Sequence, residues 1–174
     1  GAKISRGMLA TTGAISSVTG DEEGISCNII GNVPATGICG SGLIDAVAVF
    51  LDQGLLGDFG EIISGDQEIA LTDEVSLTAK DIQEFQLAKA AIAAGLMILL
   101  RKLEITAEHV SHIYISGAFG TYINLEKMLR TSMMNFPLER YRKLGNSALI
   151  GAKMFLFSDL EATESILNII SHVN

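Results

Sequence analysis

The sequence predicts a mixed α/β layer structure: one sheet with helices packed on it. Three observations carry that expectation. Short β-prone runs separated by turn signals fill residues 4–30. Helical periodicity dominates the rest, with one further strand, "IYIS" at 113–116, between helices. Hydrophobic residues make up 48% of the 174 and charged residues 18%, with mean hydropathy +0.39, which suits one domain or lobe with a sizeable core.

The elements follow in order. "GAISSV" and "ISCNII" are strand candidates flanking "TGDEEG", 19–24, a turn signal strong enough to predict a hairpin. "GNVPATG", 31–37, is a loop. "GSGLIDAVAVFLDQGLL" is a helix with Leu43, Ala46, Val47 and Phe50 on one face and Asp45 and Asp52 off it, ended by Gly54 or Gly57. Residues 57–77 read as an irregular excursion with room for another hairpin. In "LTAKDIQEFQLAKAAIAAGLMILLRKL", the longest helix, Thr78 and Asp81 resemble a capping box. Its apolar residues cover most of the circumference, which predicts a helix sandwiched between layers. "TAEHV", 106–110, is a short turn or helix. After the strand at 113–116 comes a glycine turn, then a helix from about Asn124. "FPLERYRKLG" reads as a connector. "NSALIGAKMFLF", led by Asn146, and "DLEATESILNIISHV" are the last helices.

Charge and composition exclude several function classes. The net charge is −8 and the pI about 4.8. No Lys/Arg cluster supplies the electrostatic footprint of a nucleic-acid binder. An acidic surface does not favour anionic membranes. The apolar run at 90–100 is shorter than the ~18–20 residues of a membrane span and lies between Lys89 and Arg101, and no signal peptide is expected. Two cysteines, Cys27 and Cys39, form no CxxC pair and predict free thiols in a reducing, cytoplasmic setting. The chain begins Gly1-Ala2 without an initiator Met, so a processed product or a piece of something longer is expected.

Three stretches carry candidate chemistry. In "GICGSGLID", 37–45, Gly37, Gly40 and Gly42 open onto a helix whose first N–H groups are unpaired, and Ser41 adds a hydroxyl. That arrangement suits a phosphate, or else glycines that only permit positive φ or close packing. No Lys-Ser/Thr pair follows, so it is not a P-loop. The spacing GxxGxG after a proline-containing loop does not match a dinucleotide fingerprint. In "IYISGAFGTYIN", strand, glycine turn and helix place Gly117 and Gly120 at the carboxyl end of a strand, where open α/β sheets bind ligands and where a flat ring could lie on bare backbone. A tight corner is the competing reading. In "LGNSALIGAK", Gly145, Asn146, Ala148, Gly151 and Ala152 begin a helix with small residues, which favours close packing.

Other constellations are absent. His109 and His112 have no carboxylate or thiolate partner at a metal-site spacing. No GxSxG elbow and no Ser/His/Asp or Cys/His set can be assembled. Cys39 near a helix start suits a small residue filling a tight loop more than a reactive thiol.

Taken together, "GICGSGLIDAVAVFLDQGLL", "KDIQEFQLAKAAIAAGLMILL", "IYISGAFGTYIN" and "LGNSALIGAKMFL" resemble the carboxy-terminal domain of the reductive activators of corrinoid proteins, over roughly residues 1–158. These are ASKHA-type ATPases, related to acetate and sugar kinases, heat-shock chaperones and actin. The resemblance implies an RNase H-like lobe in which the opening hairpin and the 113–116 strand share one mixed sheet. It implies that Ser116–Gly120 are the adenosine motif, that Gly40, Ser41 and Gly42 form a nucleotide-proximal loop, and that Gly145 and Asn146 begin a connecting helix at the lobe interface. The implied ligand is ATP or ADP with Mg²⁺, and the implied partner is a corrinoid protein; family members suggest a dimer.

The resemblance also implies parts this sequence does not contain. The Asp-Gly-Thr-rich phosphate motif is not found, and four cysteines for the family's amino-terminal [2Fe–2S] domain are not available. No catalytic residue is therefore named, and the chain is expected to be the second lobe of a longer protein. Two other functions remain on this reading: a metabolite-kinase lobe of the same superfamily, and a non-enzymatic dimerisation or docking module using "MLRTSMMNF", 128–136, as an exposed interface.

Overall fold

A computed structural model describes residues 3–157 and 160–171. The predicted hairpin forms from β1 (Ala14–Asp21) and β2 (Gly24–Ile29), paired antiparallel. Its turn is built by Asp21, whose Oδ1 accepts the N–H groups of Glu23 at 2.9 Å and Gly24 at 3.2 Å. β3 (Gly37–Ile38) pairs parallel to the other edge of β1, giving a small mixed sheet of order β2-β1-β3. The N-terminal segment runs beside β3. Ile38 N–H donates to the Arg6 carbonyl at 2.8 Å, and Met8 N–H to the Ile38 carbonyl at 2.9 Å.

α1 (Gly40–Asp52) packs on this sheet and is buried almost all round. Gly42 explains how closely it approaches: a Cβ there would stand 2.3 Å from the Ile15 carbonyl oxygen of β1. Asp45, expected off the apolar face, is buried as well. Its Oδ2 accepts from Val18 N–H at 3.2 Å and from Lys127 Nζ at 3.1 Å, and Lys127 also donates to the Val18 carbonyl. The cation, not solvent, makes that burial tolerable.

The excursion at 57–77 contains the second hairpin, β4 (Glu68–Ala70) with β5 (Ser76–Thr78). Thr78 then caps α2 (Ala79–Lys102) through a complete capping box with Asp81. Ile82 and Phe85 enter the core with Phe50, Val75 and Leu77. Beyond them α2 departs from expectation. Leu87, Met97, Ile98 and Leu99 are exposed, so the helix is anchored chiefly at its first turns, with Leu96 as a partly buried contact further along, and is not sandwiched among the described residues. By length and composition alone α2 could cross a membrane. Its middle nevertheless carries Lys89, whose Nζ donates to the Thr131 carbonyl at 3.0 Å.

A 3₁₀ turn at Ala107–His109 leads into β6 (Ile113–Ser116). The residues read as a glycine turn are helical: α3 (Gly117–Tyr122) starts directly at the strand end, and Asn124 caps a separate α4 (Leu125–Arg130) by accepting from Lys127 N–H at 3.1 Å. The expected connector holds a 3₁₀ turn at Leu138–Arg140 and a strand, β7 (Tyr141–Gly145), parallel to β6. α5 (Ser147–Leu156) and α6 (Leu160–Ser171) are the last described elements. The single sheet expected to join the hairpin to β6 is not formed among the described residues: the strands make three separate sheets, β2-β1-β3, β4-β5 and β6-β7. β1 has β2 and β3 on its two edges, so β6 cannot pair with β1 itself, and β6 pairs instead with β7. The segment 128–136, offered as an exposed interface, is largely internal, with Met128, Thr131, Met133 and Phe136 buried.

Candidate functional site

Parallel pairing puts the carboxyl ends of β6 and β7 side by side, with Ser116 opposite Gly145. A glycine of left-handed conformation stands at each of these ends: Gly117, directly after β6, at φ +86°, and Gly145, the last residue of β7, at φ +63°. Space beside both is open: among the described residues, a Cβ at either would meet nothing within 4 Å. A side chain is therefore excluded by backbone conformation and not by crowding. Gly120 differs, since its Cβ would stand 2.5 Å from Cγ2 of Ile115; it lets α3 fold back on β6. Asn146 caps α5, its Oδ1 accepting from Leu149 N–H at 3.0 Å.

The third glycine stretch meets the first two through Phe119. A Cβ on Gly40 would lie 2.8 Å from Cε2 of that ring, so the Phe119 ring rests over the start of α1. The neighbours of Gly40 face inward. The Ser41 hydroxyl is buried and donates to the Ser16 carbonyl at 2.8 Å, with Cys39 Sγ 3.3 Å away, and Gly42 is pressed on β1. Of the ten predicted residues, Gly40, Phe119, Gly117 and Gly145 thus border open space. Ser41, Gly42, Gly120 and Asn146 carry structural contacts, Ser116 is the register partner of Gly145, and Ala118 lies in α3.

Two clefts flank Phe119. The smaller, about 330 Å³, is lined by Met8, Leu9, Cys39, Ser41 and Tyr122. The larger, about 510 Å³, is apolar, walled by Ile4, Leu43, Leu87, Ala88 and Ile92, with Lys3 and Glu84 at 3.7 Å from each other as its charged groups. Its size and lining suit a flat organic ring. The sequence reading missed this wall. The signal was there: Glu84, Leu87, Ala88 and Ile92 recur at helical spacing, with an acid interrupting an apolar stripe.

Lysine and carboxylate contacts hold the frame. Lys143 Nζ donates to the Ile123 carbonyl at 2.5 Å and that of Thr121 at 3.4 Å, tying the end of α3 to β7. Asp81 accepts Ser5 N–H and Oγ–H, both at 2.7 Å, and Thr78 N–H at 3.0 Å and Oγ1–H at 2.8 Å. Burial alone would push its pKa up; the hydrogen bonds from Ser5 and Thr78 outweigh this and hold the carboxyl below its ordinary value. Burial raises the Cys27 thiol. Among the described residues no three His, Cys, Asp or Glu side chains are grouped to hold a metal.

Comparison with known proteins identifies the family. A family model described as the C-terminal domain of RACo, the ASKHA domain, matches residues 1–174. The corrinoid activation enzyme RamQ of Eubacterium limosum is 32% identical over 205 aligned positions, covering 99% of this chain and 34% of that protein. A reductase of the Co(II) methylated amine-specific corrinoid protein from Methanosarcina barkeri is 32% identical, covering 68% of this chain and 22% of that protein. A solved reductive activator for corrinoid, iron–sulfur protein superposes with a TM-score of 0.84 at 31% identity, over 97% of this chain and 30% of its own. The chain thus spans about a third or less of these relatives, and within that span its α/β architecture is theirs, RNase H-like. It belongs to the family of the C-terminal ASKHA domain of reductive activators of corrinoid proteins.

Proposed function

We propose that residues 1–174 form the second, nucleotide-binding lobe of an ATP-dependent reductive activator that acts on a corrinoid protein in the cytoplasm. One observation carries the nucleotide part: three glycine stretches far apart in sequence converge, Phe119 over Gly40 and Ser116 beside Gly145. The base lies in the apolar cleft beside Phe119. The phosphates run over the bare backbone at Gly117 and Gly145, where strand ends meet helix starts. Mg²⁺ would be held chiefly by the phosphates and water, because no cluster of acidic side chains stands there among the described residues. The two cysteines, Cys27 and Cys39, are both free and cannot supply four thiolates to a [2Fe–2S] cluster, so no electron-transfer step is assigned to this chain. The corrinoid partner rests on the similarity to RamQ, a corrinoid activation enzyme, and to the Methanosarcina barkeri corrinoid protein reductase. A homodimer, and no nucleic acid or membrane as partner, complete the proposal. The docking-module alternative loses its support with the burial of 128–136.

The test is titration with N-methylanthraniloyl-ADP and Mg²⁺. The chain binds, and Gly117→Val weakens binding at least tenfold while circular dichroism stays unchanged, because a β-branched residue at φ +86° displaces the turn. Absence of binding, or a Gly117→Val variant that binds as well as the unaltered chain, overturns the reading.

A further inference from the structure

Both clefts beside Phe119 are walled on one side by the N-terminal segment: Lys3 and Ile4 in the larger, Met8 and Leu9 in the smaller. That segment is a strap, not a strand of a sheet. Among the described residues its polar tethers to the rest of the fold lie at either end. One is the bridge of Gly7 to Ile38, made of the two backbone bonds of Ile38 with Arg6 and Met8, with the Thr36 hydroxyl 3.6 Å from Met8 Sδ beside it. The other is Ser5, whose N–H and hydroxyl both donate to Asp81. Lys3 and Glu84 add a rim ion pair, but Lys3 is largely exposed and such a pair contributes little. Ser5 lies between the residues lining the two clefts, so the Asp81 carboxylate sets how far the strap stands from α2.

We propose that Asp81 and Ser5 are positioning residues for the nucleotide: their hydrogen bonds hold the strap at the distance that gives both clefts their width. This rests on the nucleotide reading of the site. Neither residue touches the ligand; they act through Lys3, Ile4, Met8 and Leu9. Releasing the Ser5 hydroxyl lets the strap drift, and the wall must be ordered again on binding. The same carboxylate also caps α2 through Thr78, which supplies an internal control. Removing the Thr78 hydroxyl weakens the cap while leaving both Ser5 bonds in place.

The experiment measures affinity for N-methylanthraniloyl-ADP and the melting temperature side by side, in the whole chain. Ser5→Ala is expected to lose about fivefold to tenfold in affinity, less than the full loss of one hydrogen bond to a charged group because Ser5 N–H still donates to Asp81, with a small change in melting temperature. Ser5→Thr, which keeps the hydroxyl, restores affinity. Thr78→Val lowers the melting temperature yet keeps the affinity of the unaltered chain. If Ser5→Ala binds as tightly as the unaltered chain, or Thr78→Val loses affinity equally, Asp81 is a helix cap only and the proposal falls while the nucleotide reading stands. If the unaltered chain binds no nucleotide, both fall together.

Discussion

Around most of α1 the chain is closely packed; at the ends of β6 and β7 it is open. Ala46, Ala48 and Phe50 are fully buried in α1, and Gly42 fits only because a missing Cβ leaves room for the Ile15 carbonyl. On β6, by contrast, Tyr114 is exposed, and Gly117 and Gly145 face empty space. The difference teaches that glycines in similar-looking stretches do two jobs. Gly42 and Gly120 permit contact between elements of the protein. Gly117 and Gly145 shape backbone that the protein itself leaves bare, which is what a ligand site requires.

The sharpest way to break that comparison is a pair of identical substitutions. Gly42→Val drives a side chain into the β1 backbone and costs about 3 kcal/mol or more. Gly117→Val meets no atoms and costs only the strain of a left-handed β-branched residue, about 1–2 kcal/mol. Urea unfolding of both variants measures the gap. Equal losses would mean that the two glycines are packed alike.

Lys127→Met probes the packed side next. It leaves Asp45 buried without its cation, with Oδ1 already lacking a partner, and costs about 3 kcal/mol. Asp45→Asn combined with Lys127→Met recovers much of the loss, because the uncompensated charge is gone. A double variant no more stable than Lys127→Met would show that packing around the lysine stem, and not the charge, carries the effect.

The boundary between the two regions runs through Asp81, and there pH is the probe. Its pKa is lowered in the folded chain relative to the unfolded one. Its contribution is therefore complete above the unfolded carboxylate pKa and is lost as pH falls through the lower, folded value. The stability difference between the unaltered chain and Asp81→Asn should be flat near neutrality and shrink on acidification below the ordinary aspartate range. A difference that stays constant to that pH would mean that Asp81 is not held ionised by Ser5 and Thr78.

Local signals in the sequence were enough for the local elements. Asp21 and Gly24 announce the hairpin, Thr78 and Asp81 the start of α2, and Asn124 and Asn146 their helix caps, since each acts within three residues of itself. Non-local pairing was not legible. β7 reads "YRKLG", without alternation, and becomes a strand because β6 lies beside it. Asp45 reads as a solvent-facing acid because Lys127 is 82 positions away. The site was legible as three glycine stretches. Its division into packed and open glycines was not, because that depends on Ile15, Ile115 and Phe119 as neighbours in space.

α2 offers the smallest effect and a sharp test of the open side. Its apolar stretch beyond Phe85 has the composition of a buried helix, yet Leu99 is 58% exposed. If that exposure holds in solution, Leu99→Glu removes no packing, changes stability by less than about 0.5 kcal/mol, and leaves the solution mass unaltered. The substitution also introduces an acid two residues before Arg101 in the last turn, where a negative charge is mildly unfavourable at a helix C-terminus. A loss of a few tenths of a kcal/mol is thus still consistent with exposure. A loss of about 2 kcal/mol or more, with a fall from dimeric to monomeric mass, would place Leu99 in an interface between two copies. The open side would then be a surface that association covers, and the contrast with α1 would narrow to the glycines at the strand ends.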